Sequence, residues 1–300
     1  MACGFTIAGL SFQQILDQFG FLTINVDART TISPPERVAR LLSRFKPSVV
    51  VASETDFLAW MRVLKEMYGS EYKDVVNNLK VLVSTAELCS PNRSSQIERF
   101  FKIKHIDAYA CVEGFFTVPC PCGEKHILPI YHTEVLSEDL QESFPFGRGR
   151  FAFTNLYRRS TPFVRYLLDD WVSIYPSICS YGFTKSIIPC GRFELTTKFN
   201  NVRYGVHTFE DIIFKDYLFG EYRVIIEPDK IHVTLEDYEG AYCKKDEIES
   251  ELKTLSGMDV VVNVLKYGSL RDYRQVRKTK PILRLIDRRA VSEQTIPQYI

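Results

Sequence analysis

The chain lacks most of what marks a specialised class of protein. Across its 300 residues no stretch reaches the roughly 18 uninterrupted apolar residues of a membrane-spanning helix. Lys plus Arg (38) exceeds Asp plus Glu (37) by one, so no field of one sign draws the chain to nucleic acid or to a membrane surface. The opening MACGFTIAGLSFQQILDQF has no basic leader and carries Gln and Asp early, unlike a secretory signal peptide. Without export, the eight cysteines are expected to be thiols or metal ligands rather than disulfides, and the cytoplasm is the expected compartment. Internal repeats, low-complexity segments and a Gly-rich phosphate loop are also missing.

What is present is a globular composition, rich in Phe and Tyr, with enough apolar residues for a large core. The first half alternates strands and helices. FLTINV (21–26), SVVVAS (48–53), LKVLVS (79–84) and HIDAYA (105–110) read as strands. Ser33-Pro34-Pro35-Glu36 reads as a capping box opening a helix to about Phe45. TDFLAWMRVLKEMYG (55–69) is a helix stopped by Gly69, and Ser90-Pro91 starts another. Continuous apolar strands between helices predict a parallel sheet, whose ligands bind beyond the carboxyl ends of its strands. Residues 115–192 read as β-rich. YRVIIEPDKIHVTLED (222–237) predicts a hairpin, followed by the helix DEIESELKTLSG (246–257) and the strand DVVVNVL (259–265). The expected fold class is α/β, with an α/β domain over 1–192 and a small α+β domain over 193–300.

Two turns, Thr85-Ala86-Glu87 and Tyr109 to Glu113 within DAYACVEGFF, follow adjacent predicted strands and so share an edge. The blocks STAELCS (84–90), DAYACVEG (107–114), TPFVRYLLDD (161–170), PCGR (189–192) and VRYGVHTFEDII (202–213) resemble, in order and spacing, motifs of the adenylate-forming ligases. The phenylacetate–CoA ligase branch is the nearest in pattern, and the likeness runs from about residue 3 to 289. It implies a partial ligase-like large domain with a small C-terminal domain. The reaction implied is attack of a carboxylic acid on ATP to give an acyl-adenylate, followed by capture by CoA or another thiol. By the same resemblance, Thr85, Ala86 and Glu87 line the adenine pocket and Tyr109 packs on the base. Glu113 helps hold Mg²⁺ near the phosphates, Asp170 accepts the ribose hydroxyls, and Arg192 sits at an interdomain hinge.

The departures from the family pattern are specific. The Ser/Thr/Gly-rich phosphate loop would lie upstream of residue 1. Val112 stands where the family has a hydroxyl, Asp169 where it has Gly, and Leu195 where it has a hinge Asp or Lys. The catalytic lysine falls at Pro281, leaving Lys280 as the candidate for that role. Two functions stay open: a degenerate descendant that keeps an adenylate or acyl pocket, and an active ligase whose phosphate loop comes from a protein partner.

A metal site is expected from Cys120-Pro-Cys122-Gly-Glu-Lys-His126 with Cys179 downstream, because zinc takes four nitrogen or sulfur ligands. Cys190 is the alternate fourth ligand. The basic run from Arg271 to Arg289, with Ile282, Leu283, Leu285 and Ile286 interleaved, reads as a strand with a solvated basic face.

Overall fold

The computed structural model describes residues 7–26, 33–85, 87–238, 245–274 and 283–289. Helix α1 (Ile7–Gln18) leads into an extended stretch, 21–26, that pairs with no strand. Helix α2 (Pro35–Phe45) starts after Pro34, whose ring leaves no side-chain cap, so Ser33 and Glu36 do not form the expected capping box. Strand β1 (Val49–Val51) then precedes α3 (Glu54–Tyr68), whose first turn is capped by Ser53 Oγ accepting from the Asp56 amide. Gly69, at φ +59°, stops α3 where a side chain would be strained. After the single turn α4 (Tyr72–Val75) come β2 (Val81–Ser84), α5 (Pro91–Phe101) and β3 (Lys104–Asp107). Strands β1, β2 and β3 pair in parallel in that order, as the apolar runs predict. Their core, with Phe57, Met61, Leu64, Leu82 and Ile97, lies between the sheet and its helices.

The β-rich middle is one sheet. Its strands are β4 (Thr117–Pro119), β5 (Lys125–Ile127), β6 (Tyr131–Leu136), β7 (Ser143–Phe144), β8 (Gly147–Asn155), β9 (Tyr166–Pro176) and β10 (Lys185–Arg192). They pair antiparallel in the order β4-β5-β10-β9-β8-β6-β7 around Phe116, Phe151, Phe153 and Val172. Strand β9 is irregular: Trp171 faces Arg150 and Leu168 faces Phe151, so Asp169 and Asp170 are extra to the register against β8. Such a bulge re-aims the residues it contains.

The last third holds a short ribbon, β11 (Thr197–Phe199) with β12 (Val202–Tyr204), and then α6 (Val206–Ile213). The expected hairpin is β13 (Phe219–Ile226) with β14 (Lys230–Asp237). Helix α7 (Lys245–Ser256), β15 (Asp259–Lys266), parallel to β14, and β16 (Leu285–Asp287), parallel to β13, complete a four-stranded sheet. This segment has its own core, around Phe209, Phe214, Tyr222, Ile231 and Leu252. Among the described residues no helix is long and apolar enough to cross a membrane.

Buried ions tie that segment to the first sheet. Glu210 of α6 accepts from the Ser90 amide at 2.6 Å and pairs with Arg93 at 3.2 Å. Asp211 accepts from the Asn92 amide at 3.0 Å, so two carboxylates of α6 cap the start of α5. Arg284, just before β16, pairs with Glu221 at 2.7 Å and with Glu87 at 3.3 Å. It is a buried hub, which corrects the expectation that this basic run forms only a solvated face. Arg288 and Arg289 do stay nearer solvent, paired with Glu227 and Asp287.

Removing one member of a fully buried pair leaves the other charge desolvated, at about 3–5 kcal/mol. Arg93→Met is therefore expected to lower the unfolding free energy by about that amount in urea titrations, and adding Glu210→Leu to recover part of it. Equal losses in the single and double variants would show that the pair carries no coupling.

Candidate functional site

The site grows from the ends of β2 and β3. Because the two strands are parallel neighbours, the Ala108 amide donates to Ser84 O at 2.9 Å and the turns that follow lie side by side. Thr85 and Glu87 sit in the first turn; Ala86 lies outside the described residues. The Glu87 side chain is turned inward, accepting from Thr55 Oγ1 at 2.6 Å and pairing with Arg284.

The second turn answers for its unusual sequence. Ala110 and Phe115 form a bridge, and the Cys111 amide donates to Gly114 O at 2.9 Å, closing a tight loop with Glu113 near its tip. A Cβ on Gly114 would come within 2.9 Å of Tyr131 Oη and 3.0 Å of Phe116, so a larger residue would displace aromatic neighbours. Val112, 86% exposed, offers no donor to the cleft. A hydrogen bond from the Cys111 thiol holds the Glu113 carboxyl below its usual range against the opposing effect of burial. Burial, and then that same contact, push Cys111 up to about 12. Tyr166 Oη donates to Glu113 Oε1 at 3.5 Å.

The opposite wall is the bulge of β9. Tyr109 Oη donates to Asp170 Oδ2 at 2.5 Å, and Arg192 Nη1 lies 3.5 Å from Asp170 Oδ1. Burial, and then the Asp170 carboxylate, push the Tyr109 phenol well above its usual range, so it remains a donor. Because both bulged residues reach the cleft, Asp169 lines it too, but its carboxylate pairs with Arg150. The result is a cleft of about 380 Å³ that brings together Glu87, Tyr109, Glu113, Asp170 and Arg192. Thr85, in the turn after β2, does not line this cleft, and Lys280 lies outside the described residues.

Lys125 and Asp107, which the sequence did not single out, also line the cleft and pair with each other at 2.5 Å. Burial pushes Asp107 up while Lys125 pulls it back. A lysine two strands away carries no local pattern that marks this contact.

The expected metal ligands converge as well. The ligand atoms of Cys120, Cys122, His126 and Cys179 lie within 4.8 Å of one another. Cys120 Sγ is 3.5 Å from Cys179 Sγ, and Cys122 Sγ is 3.2 Å from His126 Nε2, near the edges of a zinc tetrahedron. Ser186 Oγ lies 2.8 Å from His126 Nδ1 and Phe183 stacks on the ring, which fixes Nε2 toward the thiols. Cys190 lies outside this group, with its thiol donating to Ile188 O at 3.4 Å.

No protein-family model matches the chain, and no curated protein matches it significantly. Solved structures do. One is 2-hydroxyisobutyryl-CoA ligase in the postadenylation state with 2-HIB-AMP, at TM-score 0.68 and 19% identity over 85% of this chain and 57% of that one. Another is the anthranilate CoA ligase AuaEII with anthranoyl-AMP, at TM-score 0.58 and 13% identity over 81% of this chain and 50% of that one. A third is the amide bond synthetase McbA from Marinactinospora thermotolerans, at TM-score 0.53 and 12% identity, covering 77% and 51%. The chain thus spans little more than half the length of these structures. Over that span it has the fold of the adenylate-forming ligases.

Proposed function

We propose that this chain is a degenerate, ligase-like protein of the phenylacetate–CoA ligase type that keeps a pocket for an adenylate or acyl group and is impaired in adenylation on its own. The observation that carries this reading is the charge balance of the cleft. Five carboxylates line it (Glu87, Asp107, Glu113, Asp169 and Asp170) against two lining cations, Lys125 and Arg192, while Arg284 and Arg150 pair Glu87 and Asp169 from outside the lining. Asp107 holds Lys125 and Asp170 faces Arg192, so little positive charge is left for a polyphosphate. A transferring phosphoryl group needs preorganised donors, each worth roughly 3–4 kcal/mol.

AMP asks less of such a site. Its base fits between the Glu87 turn and the Tyr109 ring, and Asp170 keeps lone pairs for ribose hydroxyls beside its bonds to Tyr109 and Arg192. Glu113 supplies a hard oxygen ligand suited to Mg²⁺. The reading rests also on the ordered motif blocks, in which Tyr109, Glu113, Asp170 and Arg192 hold the family's positions.

Calorimetric titration of the full chain is expected to give weak AMP binding and still weaker ATP binding. Asp170→Asn removes a charged acceptor and is expected to weaken AMP binding by about 10–100-fold. ATP–pyrophosphate exchange with simple carboxylic acids is expected to stay at background. Robust exchange that Glu113→Ala abolishes would establish a working acid–CoA ligase instead. Exchange that appears only with a second polypeptide would point to a phosphate loop supplied by a partner.

The Cys120, Cys122, His126 and Cys179 cluster is read as a structural zinc site with all four positions taken by protein. Elemental analysis is expected to show one zinc fewer per chain in Cys179→Ser than in the parent, with a lower melting temperature. An unchanged zinc content would remove this assignment.

A further inference from the structure

Behind the cleft lies a second group of ligating side chains that the adenylate reading does not use. Glu54 opens α3, Cys89 lies between β2 and α5, and His105 lies in β3, so a helix start, a loop and a strand of the parallel sheet meet at one point. Their exposures are 0%, 3% and 5%, and their ligand atoms lie within 4.8 Å of one another.

The cations nearest this point have other carboxylate partners. Arg93 is committed to Glu210 and Lys125 to Asp107. Glu54 faces the His105 ring, with Oε1 3.4 Å from Nε2, a long contact that is the one polar partner of its two buried oxygens among the described residues. A fully buried carboxylate with so few partners is costly, and a bound cation is one way such a group is satisfied.

We propose that Glu54, Cys89 and His105 form a second metal site, for a divalent cation of the zinc class. The donor set is one carboxylate oxygen, one thiolate and one imidazole, and its two negative charges neutralise the ion. The 3.4 Å between Glu54 and His105 matches the edge of a tetrahedron built on metal–ligand bonds of about 2.0–2.2 Å. Ser94 Oγ, 2.7 Å from His105 Nδ1, can accept the proton of that nitrogen and leave Nε2 free to ligate. Ligation replaces the 2.8 Å contact between Nε2 and Ser84 Oγ, and Ser84 keeps Asp107 as its acceptor at 3.3 Å. Ligation by the Cys89 thiolate releases the thiol proton to solvent.

An entry path exists. Cys89 and His105 both line a cleft of about 550 Å³ that also includes Ser94, Lys125 and His207. Three protein ligands and a side open to that cleft leave the fourth position to water, unlike the four-ligand zinc cluster.

The test uses the full chain, reduced and loaded with zinc or cobalt, then freed of excess metal by gel filtration. The parent is expected to carry two metals per chain and the isosteric Glu54→Gln variant one. In a Cys120→Ser/Cys122→Ser/Cys179→Ser background the remaining cobalt should show thiolate charge transfer, lost on adding Cys89→Ser. Glu54→Gln in that background should weaken the retained metal by at least about tenfold. A parent and a Glu54→Gln chain with equal metal content would overturn the proposal, as would a thiolate band that survives Cys89→Ser. If the multiple-serine background fails to fold, the stoichiometry of the parent against Glu54→Gln still decides.

Discussion

The fold depends on a buried cluster of opposite charges between the first sheet and the last third of the chain. Arg93 and Arg284 share Glu210, and Arg284 also holds Glu221 and Glu87. Tyr222 Oη donates to Glu210 at 2.8 Å, and the guanidinium groups stack over Phe214 and Tyr222. Desolvating so many ions is tolerable only when each has its partners in place, so the cluster admits one arrangement of α5, α6, β13 and the chain before β16. The turn that carries Glu87 is fixed by that arrangement. The wall of the cleft is therefore set partly by residues two hundred positions away in sequence.

This geometry ties the C-terminal segment to the first sheet, although the family resemblance implies an interdomain hinge at Arg192. Arg284 reaches across to Thr55 and Glu87 while its neighbours continue into β16 beside β13. Motion of the segment would have to expose at least three ionised side chains together. The same contacts that order the Glu87 turn thus oppose movement of this segment away from the first sheet.

Local pattern made the parallel sheet legible, because Val49–Val51 and Val81–Ser84 are apolar runs bounded by clear helix starts. Pattern misled at 21–26, where the residues suit a strand but join none of the described sheets, and Leu22 is 91% exposed. It misled again at Ser33, since the Pro34-Pro35 pair moves the helix start past the serine. Motif order singled out Tyr109, Glu113, Asp170 and Arg192, which the fold brings to one cleft. The Asp169–Arg150 and Asp107–Lys125 pairs were not legible, because each joins segments whose proximity only the folded sheet defines. The bulge that turns both Asp169 and Asp170 toward one side breaks the two-residue alternation on which sequence reading of strands relies. Arg284 was misread for a related reason: an interleaved basic run looks solvated until its acidic partners are brought over it.

The same bulge has an optical consequence. It is followed at once by Trp171, one of only two tryptophans in the chain, buried opposite Gly191 and Arg150. Its ring lies near Phe193, and the Arg203 guanidinium sits over it at 5.7 Å. The other, Trp60, is in the core of the first sheet. Asp170 precedes Trp171 and Arg192 follows its cross-strand partner Gly191, whereas Trp60 belongs to a different core. The fluorescence of the unlabelled chain therefore carries a built-in reporter of events at one wall of the cleft, with a second indole as its internal reference.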